Sequence, residues 1–102
     1  MNLSEENKMV KYICFCMMAQ DFLKEDLEQR QSHIPVWSTL ASKYGLKLLF
    51  WGPVMGVKEH AVFVFDSNGN TEKFFKFQRE WLKLGTPEAG KYIDYMRTIT
   101  VH

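Results

Sequence analysis

The sequence predicts an α+β domain whose elements run strand, helix, strand, strand, helix, strand. Three observations carry that expectation. Short runs rich in β-branched and aromatic residues recur at 9–18, 46–51, 59–66 and 97–101. Two stretches with apolar residues at helical spacing, 21–44 and 71–84, fall between the first and second runs and between the third and fourth. The chain of 102 residues has the length of one domain.

Composition sharpens this. At 46% hydrophobic residues, wholesale disorder is excluded. Eight Phe, four Tyr, three Trp and six Met are many large apolar groups for one small core. A chain of this size buries only about 60–68% of its unfolded surface. The formal net charge of +1 gives no field that would draw nucleic acid.

Residues 1–8 are polar and expected to be flexible, leaving 9–102 as the single domain. In the first strand, Tyr12, Cys14, Cys16 and Met18 share one face, and Ile13, Phe15 and Met17 the other. The same run resembles the apolar part of a signal peptide. However, Lys11 interrupts it, Glu5 and Glu6 offset Lys8 and Lys11, and the remaining apolar stretch is short. No segment approaches the roughly 20 apolar residues of a membrane span. Cys14 and Cys16 are too close in sequence to staple the fold and read as reduced, buried thiols of a cytoplasmic protein.

The first helix is expected over 21–44, capped near Gln20 or Asp21, with Leu23, Leu27, Ile34, Trp37, Ala41 and Tyr44 inward. Pro35 removes a backbone donor and disfavours helix at the residue before it, which predicts a break near 31–34. Gly45 suits a left-handed cap at the helix end. The second strand, 46–51, runs into the Gly52-Pro53 and Gly56 loop, and the third, 59–66, leads into the turn at 67–70. Asn70 or Thr71 caps the second helix, 71–84, whose stripe includes Phe74, Phe77 and Trp81. Gly85 and Pro87 end it, a short helical turn follows from 86, and 97–101 forms the last strand.

This order is the split βαβ, or ferredoxin-like, arrangement. Right-handed crossovers put both helices on one face of a four-stranded antiparallel sheet. The other face has no cover in a monomer, yet residues 61–65 are apolar on both sides, as is the first strand. Soluble monomers avoid so large an exposed apolar patch. The simplest cover is a second copy of the same sheet, giving a homodimer or higher homo-oligomer.

In this layout, and in the texture of segments 33–37, 45–57 and 59–67, the chain resembles the dimeric α+β barrel superfamily. It is similar to its small stand-alone members, of the antibiotic-biosynthesis-monooxygenase-like, muconolactone-isomerase-like and EthD-like kinds. The resemblance implies a pocket between helices and sheet for a small apolar or aromatic compound. It also implies, as one option, a cofactor-independent oxygenase or isomerase. The Asn-Trp-His set of the haem-degrading members has no counterpart here, and no cofactor is expected.

His33 is the candidate base: it lies one turn before Trp37 and beside Pro35, and its imidazole titrates near neutrality. The competing reading is a histidine bonded locally at a helix break. His60 opens the third strand and is a second candidate at the pocket mouth, against a plain strand-end histidine. Tyr12, Trp37 and Trp51 are candidate ligand-binding residues, each of which core packing also explains. Arg79, Glu80 and Arg97 are candidates to orient a charged ligand, against a solvated surface role, and Asp66 reads as a turn former. Three histidines without regular spacing give no metal site. The alternative function is a non-catalytic sensing or oligomerisation module. The shape of the pocket separates the two: an open cavity reaching a histidine favours ligand chemistry, and a cleft filled by Phe and Trp favours the structural role.

Overall fold

The computed structural model describes residues 10–67, 70–84 and 92–101. The elements follow the predicted order: β1 (Val10–Met18), α1 (Gln20–Leu23), α2 (Leu27–Lys43), β2 (Lys47–Pro53), β3 (Ala61–Ser67), α3 (Thr71–Arg79), a π-helical turn (Glu80–Leu84) and β4 (Ile93–Val101). The sheet order is β2-β3-β1-β4, antiparallel at every pairing, so β1 and β3 are central. The expectations for residues 1–8, the turn tip at 68–69 and the stop and short helix from 85 lie outside the described residues.

The faces of β1 sort as the alternation predicts. Val10, Tyr12, Cys14, Cys16 and Met18 are buried beneath the helices, while Ile13, Phe15 and Met17 are half-buried on the opposite face. In β3, Ala61, Phe63 and Phe65 join the covered side and Val62 and Val64 the open one. The cysteines therefore belong to the helix side. Burial pushes the Cys14 thiol up to about 12, against a hydrogen bond from Thr98, and raises Cys16 as well. Both are inert packing groups.

The first helical stretch breaks, but not at Pro35. It breaks at residues 24–26, where Asp26 caps α2. The Asp26 carboxylate accepts from the Gln29 N–H at 2.8 Å, and the Gln29 side chain accepts from the Asp26 N–H at 3.1 Å. That reciprocal capping box is worth about 1 kcal/mol. The helix then runs through Pro35. The bond that proline forfeits is the one to the Gln31 carbonyl; both residues lie on the exposed side, where water replaces it. The helix ends as expected. Gly45 sits at φ 75°, its N–H donates to Ser42 O at 3.0 Å, and the Leu46 N–H reaches back to Ala41 O at 3.0 Å.

Other boundaries differ from expectation. β2 begins one residue later and continues through Gly52 and Pro53, with a bulge between Leu48 and Phe50. As an edge strand it accommodates the proline. β3 starts at Ala61 rather than Glu59. β4 starts at Ile93, four residues before the alternation at 97–101, because Ile93 and Met96 still meet Met18 and Cys16, with a bulge at Asp94 of β4 between Ile93 and Tyr95. Asn70 caps α3 by accepting from the Lys73 N–H at 3.1 Å, and α3 loosens into the π turn from Glu80.

Between sheet and helices lies a nearly continuous aromatic core. Trp37 from α2 meets Phe63 of β3 and Trp81 edge-on, each at 5.7 Å. Phe77 stacks on Trp81 at 5.2 Å, and Phe74 stacks on Tyr12 at 3.9 Å. The open face carries Ile13, Phe15, Met17, Val62, Val64 and, from the edge strands, Phe50, Ile99 and Val101. Phe50 is 58% exposed, Ile99 43% and Val101 44%.

Candidate functional site

The break at residues 24–26 has a spatial consequence. It lets the short α1 turn across the end of the sheet where β1 stops, β2 ends and β3 begins. A cleft of about 330 Å³ opens there. Met18 and Ala61 form its floor, and Trp51, Gly52 and Pro53 of β2 one wall. Phe22, Leu23 and Leu27 form the facing wall. Two polar side chains complete it, Arg30 and His60, and among the described residues no carboxylate lines it.

Both polar groups are held in place. The Met18 N–H donates to His60 Nδ1 at 3.0 Å, while the His60 N–H donates to Cys16 O at 3.0 Å. With Nδ1 accepting, the neutral ring carries its hydrogen on Nε2. The Arg30 guanidinium donates from Nε to Glu25 O at 3.1 Å and from Nη2 to Leu23 O at 2.7 Å. It also lies over the Phe22 ring, 5.4 Å from its centroid. These contacts use two of its five N–H groups.

Of the residues singled out in the sequence, Trp51 and His60 come together in this cleft. Trp51 is half-buried and stacks on Phe63 at 6.2 Å. His33 does not line it. It is buried behind Phe22, with Nε2 2.8 Å from Glu25 Oε1 and its ring stacked on Trp37 at 5.5 Å and tilted against Tyr92 at 4.3 Å. The one-turn spacing of His33 and Trp37 thus produces a stack, and the carboxylate partner comes from the α1–α2 connection. Trp37 lies fully in the core, where its Nε1 has no hydrogen-bond partner among the described residues. Tyr12 lies toward the other end of the sheet, its hydroxyl 3.1 Å from Thr71 Oγ1. Arg30, Phe22 and Leu27 are not legible as cleft residues when the break in 21–44 is placed at 31–34 by Pro35; the Asp26-x-x-Gln29 signature is the signal that places it at 24–26.

The charged candidates are engaged elsewhere. Glu80 bonds Tyr44 and Lys43. Arg79 borders a shallow groove on α3 with Phe75, Gln78 and Leu82. Asp66 belongs to β3 rather than to a turn. Its Oδ1 is buried without a partner among the described residues, with Lys11 and Lys47 as its neighbours in register. Arg97 grips Glu59 with two hydrogen bonds, at 3.0 and 3.1 Å, and covers the Phe15 ring at 4.6 Å. The Tyr95 hydroxyl also donates to Glu59, at 3.3 Å.

The Arg97 hydrogen bonds hold the Glu59 carboxyl at about 2, below its ordinary 4.5 and against the opposing effect of burial. A depressed carboxyl stabilises the fold fully above pH 4.5, and that contribution is lost as the pH falls toward 2. Urea midpoints compared at about pH 6 and about pH 3 should therefore drop further in the wild type than in Glu59→Gln. Equal drops would show that the grip carries no acid dependence.

Among the described residues no helix is long and apolar enough to cross a membrane, and no group of three or more His, Cys, Asp or Glu is placed to hold a metal. No family model matches the chain, and no curated protein does. Solved structures do. An uncharacterised NIPSNAP domain protein from Burkholderia xenovorans superposes with a TM-score of 0.58 at 9% identity, covering 92% of each chain. A dimeric ferredoxin-like protein of unknown function from Thermobifida fusca gives 0.55 at 18% identity, covering 91% of this chain and 89% of that one. With the sheet order and the helices on one face, these likenesses establish the fold as ferredoxin-like α+β.

Proposed function

We propose that this chain is a small-molecule-binding protein of the dimeric α+β barrel type, with its ligand in the cleft beside Trp51 and His60. The observation that carries this reading is the cleft itself. The body of the helix–sheet interface is filled by rings, yet a volume of about 330 Å³ is left open at one end and reaches a histidine. Binding is favoured over turnover. The histidine at the cleft has Nδ1 occupied by a backbone amide and Nε2 protonated, and His33 is committed to Glu25. Neither is a free base for an oxygenase or isomerase.

The second part of the reading is assembly. The open face exposes Phe50, Ile99 and Val101 beside half-buried Ile13, Val62 and Val64, bordered by the Arg97–Glu59 pair at Phe15, and a second copy of the same sheet is its self-complementary cover. That the Thermobifida fusca neighbour is dimeric is in keeping with this. A cytoplasmic setting belongs to the same reading, since the two thiols are buried and reduced.

Ligand-detected NMR with a panel of small aromatic alcohols, amides and acids tests the cleft. Several should bind, and Trp51→Ala should weaken them at least about tenfold by removing an aromatic wall. A panel with no binder, or binders indifferent to Trp51→Ala, would overturn the reading.

A further inference from the structure

The polar groups of the cleft narrow the class of ligand, a step that rests on the binding role proposed above. Arg30 and His60 are the polar residues lining the cleft, and the hydrogen-bonding groups they keep uncommitted are donors rather than acceptors. Arg30 keeps three N–H groups beyond those pinned to the Leu23 and Glu25 carbonyls, and no carboxylate pairs with it among the described residues. His60 has turned its only acceptor nitrogen to the Met18 amide, which leaves Nε2–H as a donor. Phe22, Leu27 and Trp51 supply apolar wall around them. A pinned guanidinium costs little further ordering when it meets an anion, and its fork matches the two oxygens of a carboxylate.

We propose that the cleft selects apolar carboxylic acids in their anionic form, the carboxylate set against Arg30 with His60 Nε2–H as a second donor, and the aromatic or branched body against Trp51 and Phe22. Neutral compounds of the same shape fit the walls and leave the donors unanswered.

Calorimetric titration of the full chain with indole-3-acetate and with its neutral counterpart indole-3-acetamide tests this. The acid should bind at least about tenfold more tightly than the amide. Arg30→Gln keeps an amide donor at the place of Nε but no charge; it should erase that preference, the acid losing at least about tenfold more affinity than the amide. Equal affinity of acid and amide in the wild type would overturn the proposal while leaving the cleft reading intact. A preference that survives Arg30→Gln would overturn it as well, and the wild-type ratio decides alone if that variant does not fold. If neither compound binds, this proposal falls, and the panel of small aromatic compounds decides the cleft reading separately.

Discussion

Replacing Phe63 with alanine should lower the unfolding free energy by about 3–5 kcal/mol. Phe63 is fully buried on a central strand, and its ring meets three tryptophans from three other elements: Trp37 at 5.7 Å, Trp51 at 6.2 Å and Trp81 at 5.3 Å. Indole rings are large and stiff, so they cannot close over the space a phenyl ring leaves, and the cost falls at the high end for a deleted side chain. A domain of this size has only about 5–15 kcal/mol to lose. Urea unfolding at neutral pH reads the effect as a shift of midpoint at unchanged slope. Phe75→Ala is the control: that ring is 58% exposed on α3, and its loss should cost about 0.5 kcal/mol or less. Equal losses at the two positions would contradict the packing described for Phe63.

If the open sheet face pairs two copies as proposed, Val64→Lys should leave the chain a monomer. Val64 sits near the middle of the open face, opposite Ile13 on one side and Phe50 on the other. In one chain alone a lysine there faces water and is harmless. In a sheet-to-sheet dimer it puts an unpaired charge into an apolar interface from each copy, which should raise the dissociation constant by at least about 100-fold. Light scattering at micromolar concentration should show twice the 12.0 kDa chain mass for the wild type and the single mass for the variant. A wild type that already runs as a monomer, or a variant that stays dimeric, would remove the interface.

The parts of this molecule that were legible in the sequence are those governed by period. Alternation in β1 and β3 separates Cys14 from Phe15 and Phe63 from Val64, and helical spacing puts Trp37 one turn after His33. What period does not say is where along a shared face a side chain will lie. Tyr12 and Met18 occupy the same face of β1, yet one stacks under α3 and the other floors the cleft. Trp51 and His60 were recognisable because each stands at one end of an apolar run in the sequence, although β2 itself carries on past Trp51 to Pro53. Arg30 was not, because its place depends on a break that Asp26 imposes and that Pro35, the more conspicuous residue, does not. A cap satisfies donors that would otherwise stay open, whereas a proline on the wet side of a helix leaves only one carbonyl for water to fill.

The bond between the Met18 amide and the His60 ring ties the backbone of a central strand to a side chain at the cleft. Most strand amides are held by a neighbouring strand and exchange with solvent only when the sheet opens. This one is held by a ring that needs only a rotation to let go. Its deuterium exchange should therefore respond to local release of that ring as well as to unfolding, so that one amide resonance registers how the imidazole is turned. Occupancy of the cleft becomes readable from the backbone, with no label placed in the site itself.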